Sequence, residues 1–209
     1  LEAFGKLNTS YLLHEYNHCH WQPLYANQVI EPLRELGLSY LGSATLAENF
    51  DGLLPMAVQK QIQQQGDPGL RELVRDLLTN QSFRRDVYVK GMDPLWPREA
   101  SAALEQVRVC GLLQQDALDD ESSYRFPLSW GEFQGNRDCI RALMEGLGDR
   151  TRSLAELHPS LPAGITQLTL LQNLCLLLGR MAVALVPGER DRGPSQRFNA
   201  HIAASVAAG

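Results

Sequence analysis

The chain has 209 residues and is 44% hydrophobic, which is enough for one good core or two modest ones. Acidic residues outnumber basic ones by 24 to 19, and the net charge of −5 is spread along both halves. This balance argues against a nucleic-acid-binding protein, because such proteins concentrate positive charge on one face.

Four cysteines lie far apart along the chain, and none has the paired spacing of a structural zinc site or a redox dithiol. We therefore expect reduced cysteines in a cytoplasmic protein. The chain begins at Leu1 without a basic leader and apolar stretch, so nothing indicates export, and we expect a fragment of a longer protein. The cysteines are Cys19, Cys110, Cys139 and Cys175.

The first predicted elements are two short helices and a strand. Asn8 or Thr9 is predicted to cap a helix over 11–16, and Pro23 starts a second helical segment that Gly37 ends. Pro32 inside that segment should kink or divide it, because proline removes a helix hydrogen bond. A strand is predicted over 38–46. The apolar face of the second segment comprises Tyr25, Val29, Leu33 and Leu36.

The clearest helix of the first half follows Asp67 and Pro68, which are typical N-cap and N1 residues. A shorter helix is predicted before it, from 54 to about 65, and residues 83–89 are predicted to continue the main helix. Turn residues over 91–97 place a boundary between domains 1–94 and 95–209. The main helix carries an apolar stripe that is predicted to face the core: Leu70, Leu73, Val74, Leu77 and Leu78.

The second domain is predicted to open with a helix over 97–106 and a hairpin that pairs 107–113 with 124–128 around an acidic loop, 116–121. Three helices and a strand follow from Asn136, an order that is typical of a winged helix. Ser153 and Glu156 form a capping box for the middle helix. The stripe of the first helix, closed by Gly148, comprises Ile140, Leu143, Met144 and Leu147.

The last predicted helix and strand, 165–178 and 181–186, form the most apolar stretch of the chain. Over 22 residues this stretch carries one charge, Arg180, so it is long enough to cross a bilayer. Polar residues such as Gln172 and Asn173 would be costly in lipid without partners. We therefore predict a buried helix followed by a strand. The predicted fold class is mainly α (α+β), a helical domain with a short β element followed by a winged-helix-like domain.

Several short motifs of the first half occur together in a recognisable order. They are a Tyr-Leu-Leu-His-Glu-Tyr run at 11–16, Pro23 and Tyr25, Leu-Ser-Tyr-Leu-Gly at 38–42, and Asn-Gln-Ser-Phe-Arg-Arg at 80–85. As a set they resemble the predicted regulatory domain of bacterial S-adenosylmethionine-dependent methyltransferases, including those that methylate protein lysines. The remainder resembles, more loosely, the carboxy-terminal part of the same enzymes, including a tail at 194–200.

The resemblance implies an accessory region without an active site of its own. S-adenosylmethionine would bind a separate Rossmann-like catalytic domain, and no Gly-x-Gly-x-x-Gly turn follows a strand in this sequence. We therefore assign no catalytic, cofactor-binding or metal-binding residue, and we expect that these residues alone are not an enzyme. The expected partners are the catalytic domain, a protein substrate or a second copy, and neither nucleic acid nor a membrane.

One alternative function is a zinc hydrolase. His14, Glu15 and His18 match His-Glu-x-x-His, which on a helix places two imidazoles one turn apart for a tetrahedral zinc. Cys19 and His20 add two more ligand types. Zinc proteases carry this motif in a long helix with a third ligand further on, whereas Pro23 follows here. The motif is therefore weaker evidence for zinc catalysis than the family resemblance is for an accessory region.

The other alternative is a free-standing winged-helix module that binds DNA or protein. The candidate recognition helix over 165–178 contains Gln167, Gln172 and Asn173 but no basic residue to hold phosphates. Arg84 and Arg85 suggest an anion site, but pairing with helix carbonyls or with neighbours such as Asp86 is the stronger interpretation. The tryptophans are predicted to be packing anchors: Trp21, Trp96 and Trp130.

Overall fold

The computed structural model describes residues 8–16, 22–91, 97–112 and 120–187, together with residues 197, 200 and 201. The chain divides into two compact units, which we call unit 1 (residues 1–44 and 54–92) and unit 2 (residues 45–53 and 93–209). The division into domains 1–94 and 95–209 stays a prediction, to which the structure adds that 45–53 groups with unit 2. Helices and small antiparallel sheets confirm the predicted α+β class.

Unit 1 consists of four helices and one two-stranded sheet in its described part. The first helix confirms the prediction, since Asn8 Oδ1 accepts a hydrogen bond from the Ser10 N–H at 2.8 Å. The elements are α1 (Thr9–Tyr16), α2 (Ala26–Glu35), β1 (Leu38–Ser43), α3 (Met56–Gln63), α4 (Pro68–Thr79) and β2 (Asp86–Lys90).

Helix α2 contains Pro32 and is not divided by it, and it buries Ala26 and Ile30. The predicted apolar face is wrong at its two ends, because Tyr25 and Leu36 are exposed. Both are cap residues: the backbone of Tyr25 is extended, and Leu36 follows the last helical residue. Both therefore lie at the ends of the helix and not within the face that buries Ala26 and Ile30.

Strands β1 and β2 pair antiparallel, from Leu38 opposite Lys90 to Ser43 opposite Asp86. The prediction that 83–89 continues α4 is therefore wrong. Asn80 ends the helix in the left-handed conformation, with φ of 52° and ψ of 44°. The chain then turns back, and the Val-Tyr-Val sequence of β2 suits a strand. Strand β1 is also shorter than predicted, because a 3₁₀ turn begins at Leu46.

Between residues 97 and 187, the described part of unit 2 contains four α-helices and five strands. Its elements after the 3₁₀ turns Leu46–Asn49 and Asp51–Leu53 are α5 (Pro97–Glu105), β3 (Arg108–Gly111), β4 (Arg125–Leu128), β5 (Gly131–Gln134), α6 (Arg137–Leu147), β6 (Thr151–Ser153), α7 (Leu154–Leu157), α8 (Gln167–Gly179) and β7 (Val183–Val186).

Strand β3 lies between β6 and β7 and is antiparallel to both. The predicted hairpin of 107–113 with 124–128 is therefore wrong. Strand β4 pairs instead with β5, where Leu128 lies opposite Gly131 across a connection of two residues. Closing so short a connection costs little chain entropy, which favours this pairing over one that closes a long loop.

The core of unit 2 forms between α6, α7, α8 and the β3 sheet. The predicted stripe of α6 is confirmed, since all four of its apolar residues are buried and Gly148 ends the helix. The capping box is confirmed as well: Ser153 Oγ accepts from the Glu156 N–H at 3.3 Å, and Glu156 Oε2 accepts from the Ser153 N–H at 2.7 Å.

The helices α6, α7 and α8 and the strand β7 follow in the predicted order, whereas the short strand β6 between α6 and α7 was not predicted. Strand β3, which pairs with both β6 and β7, comes before these elements in the chain. The winged-helix assignment stays a prediction. Among the described residues, no helix is long and apolar enough to span a membrane.

Residues 45–53 contribute to the core of unit 2. Ala47 and Leu53 are buried in its apolar cluster, and the Leu53 carbonyl accepts a hydrogen bond from Trp130 Nε1 at 3.1 Å. The Gln172 side chain of α8 lies so close to Gly52 that an added Cβ there would be 2.6 Å from its Nε2. The core of unit 2 is therefore built from two separate stretches of chain.

Asn173 is the buried polar anchor of helix α8. Its side chain is 3% exposed, its Oδ1 accepts from the Asn136 N–H at 2.8 Å, and its Nδ2 donates to the Thr169 carbonyl at 2.8 Å. The first of these bonds connects α8 to Asn136, the N-cap residue of α6.

We predict that Asn173→Leu lowers the free energy of unfolding by about 1–3 kcal/mol, because it leaves the Asn136 N–H without an acceptor. Gln167→Leu is the matched control, since it makes the same change on the exposed face of α8 and should cost less than about 0.5 kcal/mol. Urea unfolding of both variants checks this, and equal costs would contradict it.

Candidate functional site

The most concentrated polar arrangement in unit 1 surrounds the side chain of Arg84, which is 16% exposed. Its Nη1 lies 2.5 Å from Asp76 Oδ1, and its Nη2 lies 2.9 Å from Glu72 Oε2. Its Nε donates to both carboxylate oxygens of Asp86 at 3.1 Å. We call Arg84 and its partners Tyr40, Glu72, Asp76 and Asp86 the Arg84 cluster.

Three elements bring these groups together. Glu72 and Asp76 stand four residues apart on α4, so they share one face of that helix. Asp86 begins β2, and Tyr40 comes from β1. The Tyr40 hydroxyl accepts from Arg84 Nη2 at 2.8 Å and donates to Glu72 Oε2 at 3.0 Å. The cluster therefore fastens α4 to both strands.

Burial and charge act together in this cluster. Burial raises the pKa of Tyr40 and the pKa of Asp76 above their ordinary values. Burial alone would lower the pKa of Arg84, but hydrogen bonds to Asp86 and Glu72 and the attraction of Asp76 raise it overall. Arg84 therefore stays positively charged.

The anion-site interpretation of Arg84 does not fit this arrangement, whereas the predicted pairing with Asp86 is confirmed. Three carboxylates already surround the guanidinium, so a phosphate or sulfate there would meet negative charge. The side chain of Arg85 next to it is exposed. The sequence did not indicate Tyr40, Glu72 and Asp76 as partners, because they lie 44, 12 and 8 residues from Arg84.

The second feature of unit 1 is a set of exposed leucines on α4. Leu70, Leu77 and Leu78 are 41%, 62% and 47% exposed, and we call them the leucine stripe. The prediction that they face the core is wrong. Leu73 and Val74 of the same predicted set are half-buried.

The Arg84 cluster explains why α4 is turned this way. The inward face of the helix carries Glu72 and Asp76, which pair with Arg84, and it buries Gly69 and Thr79. A Cβ at Gly69 would lie 3.6 Å from Asn27 Cβ, so α2 passes close to the helix at that point. Because polar groups occupy the inward face, the leucines are left at the surface.

The zinc motif falls largely outside the described residues. His14 lies exposed on α1, whereas only the backbone of Glu15 is described, and His18, Cys19 and His20 lie outside the described ranges. Within those ranges, no group of three or more histidine, cysteine, aspartate or glutamate side chains is placed to hold a metal ion. The zinc motif stays a prediction.

Residues that the sequence suggested for DNA reading or for packing make contacts within unit 2, as far as the structure describes them. Asn173 is buried, and Gln167 Nε2 donates to Ser101 Oγ at 3.2 Å. Trp130 packs against the core and donates to the Leu53 carbonyl, which confirms its role as a packing anchor. Trp21 and Trp96 lie outside the described residues.

Comparison with known proteins finds a family match for the amino-terminal part of the chain. Residues 8–90 match the family model described as "Predicted methyltransferase regulatory domain". This range includes both the Arg84 cluster and the leucine stripe. Residues 8–90 therefore resemble this family, as their motifs predicted, and they form a methyltransferase-associated region.

Individual relatives are similar to most of the chain, including residues of unit 2. The chain is 35% identical over 181 residues to the uncharacterized protein sll1526 of Synechocystis sp., and the match covers 86% of this chain and 35% of that protein. PKMT2 from Rickettsia typhi shares the fold with a TM-score of 0.55 and 19% identity, over 90% of this chain and 40% of PKMT2. Its complex with AdoHcy gives a TM-score of 0.53 and 20% identity with the same coverage. The chain thus spans well under half the length of both relatives.

We predict that Arg84→Met lowers the free energy of unfolding by about 3 kcal/mol at pH 7, because three carboxylates lose their main cation. Burial already raises the pKa of Asp76, and Arg84 opposes that rise, so without Arg84 the pKa of Asp76 lies further above its unfolded value and protonation favours the folded variant more strongly. The cost should therefore shrink as the pH falls from 7 to 4.

The matched control is Arg85→Met, which changes an exposed arginine beside Arg84 and should cost less than about 1 kcal/mol at either pH. Urea unfolding at both pH values is the measurement. A cost for Arg84→Met that is independent of pH, or equal to that of Arg85→Met, would contradict the assigned role.

Proposed function

We propose that the chain is a non-catalytic accessory region of an S-adenosylmethionine-dependent methyltransferase and that it acts through contacts with other protein surfaces. S-adenosylmethionine would bind the catalytic domain of that enzyme, which is the main partner that we propose. A protein substrate or a second copy of the chain would make further contacts. The family match over 8–90 supports the link to methyltransferases.

The leucine stripe is the observation that carries the contact role. Three leucines on one helix expose apolar area that is favourable to bury, at roughly 25 cal/mol for each Å² removed from water. The sequence places them at helical spacing, as it would for a buried face. A partner surface that covers Leu70, Leu77 and Leu78 would complete the packing that unit 1 leaves open.

The Arg84 cluster supports this role by holding the stripe in place. Its hydrogen bonds fix α4 to β1 and β2, so the leucines stand on a helix that is anchored along its opposite face. A preorganised surface loses less conformational entropy when it binds. The same cluster thus stabilises unit 1 and presents the stripe to a partner.

The thiols of unit 2 bear on the compartment in which the protein works. Cys110, Cys139 and Cys175 are free, and burial raises the pKa of Cys139 and of Cys175 to about 11. Such thiols are unreactive at neutral pH. We propose a cytoplasmic location, where unpaired cysteines stay reduced.

The isolated 209-residue chain should neither bind S-adenosylmethionine nor transfer its methyl group. Titration calorimetry with up to about 1 mM ligand should show no binding heat, which corresponds to an affinity weaker than about −4 kcal/mol. A methyl-transfer assay with a protein acceptor should give no product. Micromolar binding would contradict the non-catalytic assignment.

The leucine stripe should matter for contact and not for folding. We predict that Leu77→Gln changes the stability of the isolated chain by less than about 0.5 kcal/mol. The matched variant Leu54→Gln, at a buried site of unit 1, should cost about 3 kcal/mol. Association with the methyltransferase catalytic domain, measured by calorimetry, should weaken by about tenfold in Leu77→Gln. Unchanged association would contradict the contact role.

A further inference from the structure

A groove of about 300 Å³ lies within unit 2 between three helices. Helices α5 and α8 line it with the same spacing, i, i+3 and i+4, so each contributes one face. The α5 residues are Ser101, Leu104 and Glu105, and the α8 residues are Gln167, Leu170 and Leu171. Helix α7 and the turn after it complete the lining with Leu154, Ala155, His158 and Pro159.

The inner surface of the groove is apolar. Leu154 and Leu170 are buried, and Leu104 and Leu171 are half-buried. Four leucine side chains around a space of this size can pack against a chain of methylene groups. The groove therefore suits the aliphatic part of a ligand.

The outer rim is polar and carries negative charge. Glu105 supplies a carboxylate at the last residue of α5, where the helix carbonyls add partial negative charge. Ser101 and Gln167 are bonded to each other on another part of the rim. Lysine and arginine are absent from the described lining, and Arg98 stands one turn before Ser101 on α5 outside that lining.

We propose that this groove binds the side chain of a lysine or arginine of a protein partner. The methylene stem would pack on the four leucines, and the charged end would lie at the Glu105 carboxylate, an arrangement that basic side chains adopt readily. This site lies in unit 2 and does not depend on the leucine stripe, so it goes beyond the proposed contact through unit 1.

Two capped amino acids of similar shape test the proposal on the whole 209-residue chain by NMR titration. Nα-acetyl-lysine methylamide carries the ammonium group, and Nα-acetyl-norleucine methylamide lacks it. We expect the lysine compound to shift the methyl signals of Leu154 and Leu170 and to bind about threefold more tightly than the norleucine compound, the size of an exposed ion pair. Added salt should reduce that preference.

Three variants decide the location of the site. Glu105→Gln should remove the lysine preference without changing norleucine binding, whereas Glu99→Gln, an exposed carboxylate of α5 outside the lining, should retain it. Ala155→Trp should fill the groove and abolish both sets of shifts. The proposal is overturned if neither compound shifts these signals, if both bind equally, if the preference survives Glu105→Gln, or if binding survives Ala155→Trp.

Discussion

The interaction on which unit 1 depends is the pairing of one guanidinium with three carboxylates and a phenol. Arg84 contacts Glu72, Asp76 and Asp86 and the Tyr40 hydroxyl, and these groups come from one helix and two strands. Arginine suits this position because its planar group has five donors in fixed directions. The arrangement makes the inward face of α4 polar and leaves its apolar face for another surface.

The sequence predicted the buried face of α6 but not that of α4, and the contrast has a physical cause. In α6 the apolar stripe and the buried face coincide, so helical spacing alone identifies Leu143 and Leu147 as core residues. In α4 they do not coincide, because ion pairs from distant positions decide which way the helix faces. Spacing along one helix contains no information about Tyr40, which lies 44 residues from Arg84.

Strand pairing shows the same limit. The sequence indicated most segments that became helices, together with the strand that is now β7, but it joined 107–113 to the wrong partner. The partners of β3 come from positions about 40 and 75 residues later in the chain, a range at which local turn signals do not act. The family motifs indicated the part of the chain that contains the candidate site. The Arg84 cluster and the exposed leucines of the stripe depend on contacts between distant residues, so the sequence did not predict them.

The segment 45–53 has a consequence for how the chain can be divided. It leaves unit 1 after β1, buries Ala47 and Leu53 in unit 2, and returns to unit 1 at Leu54. A single cut near residue 94 would therefore remove part of the core of unit 2 and the acceptor of the Trp130 indole N–H. The amino-terminal fragment would carry Ala47 and Leu53 without the core that buries them, and the carboxy-terminal fragment would lack both, so an activity lost on truncation could not be assigned to the half that was removed.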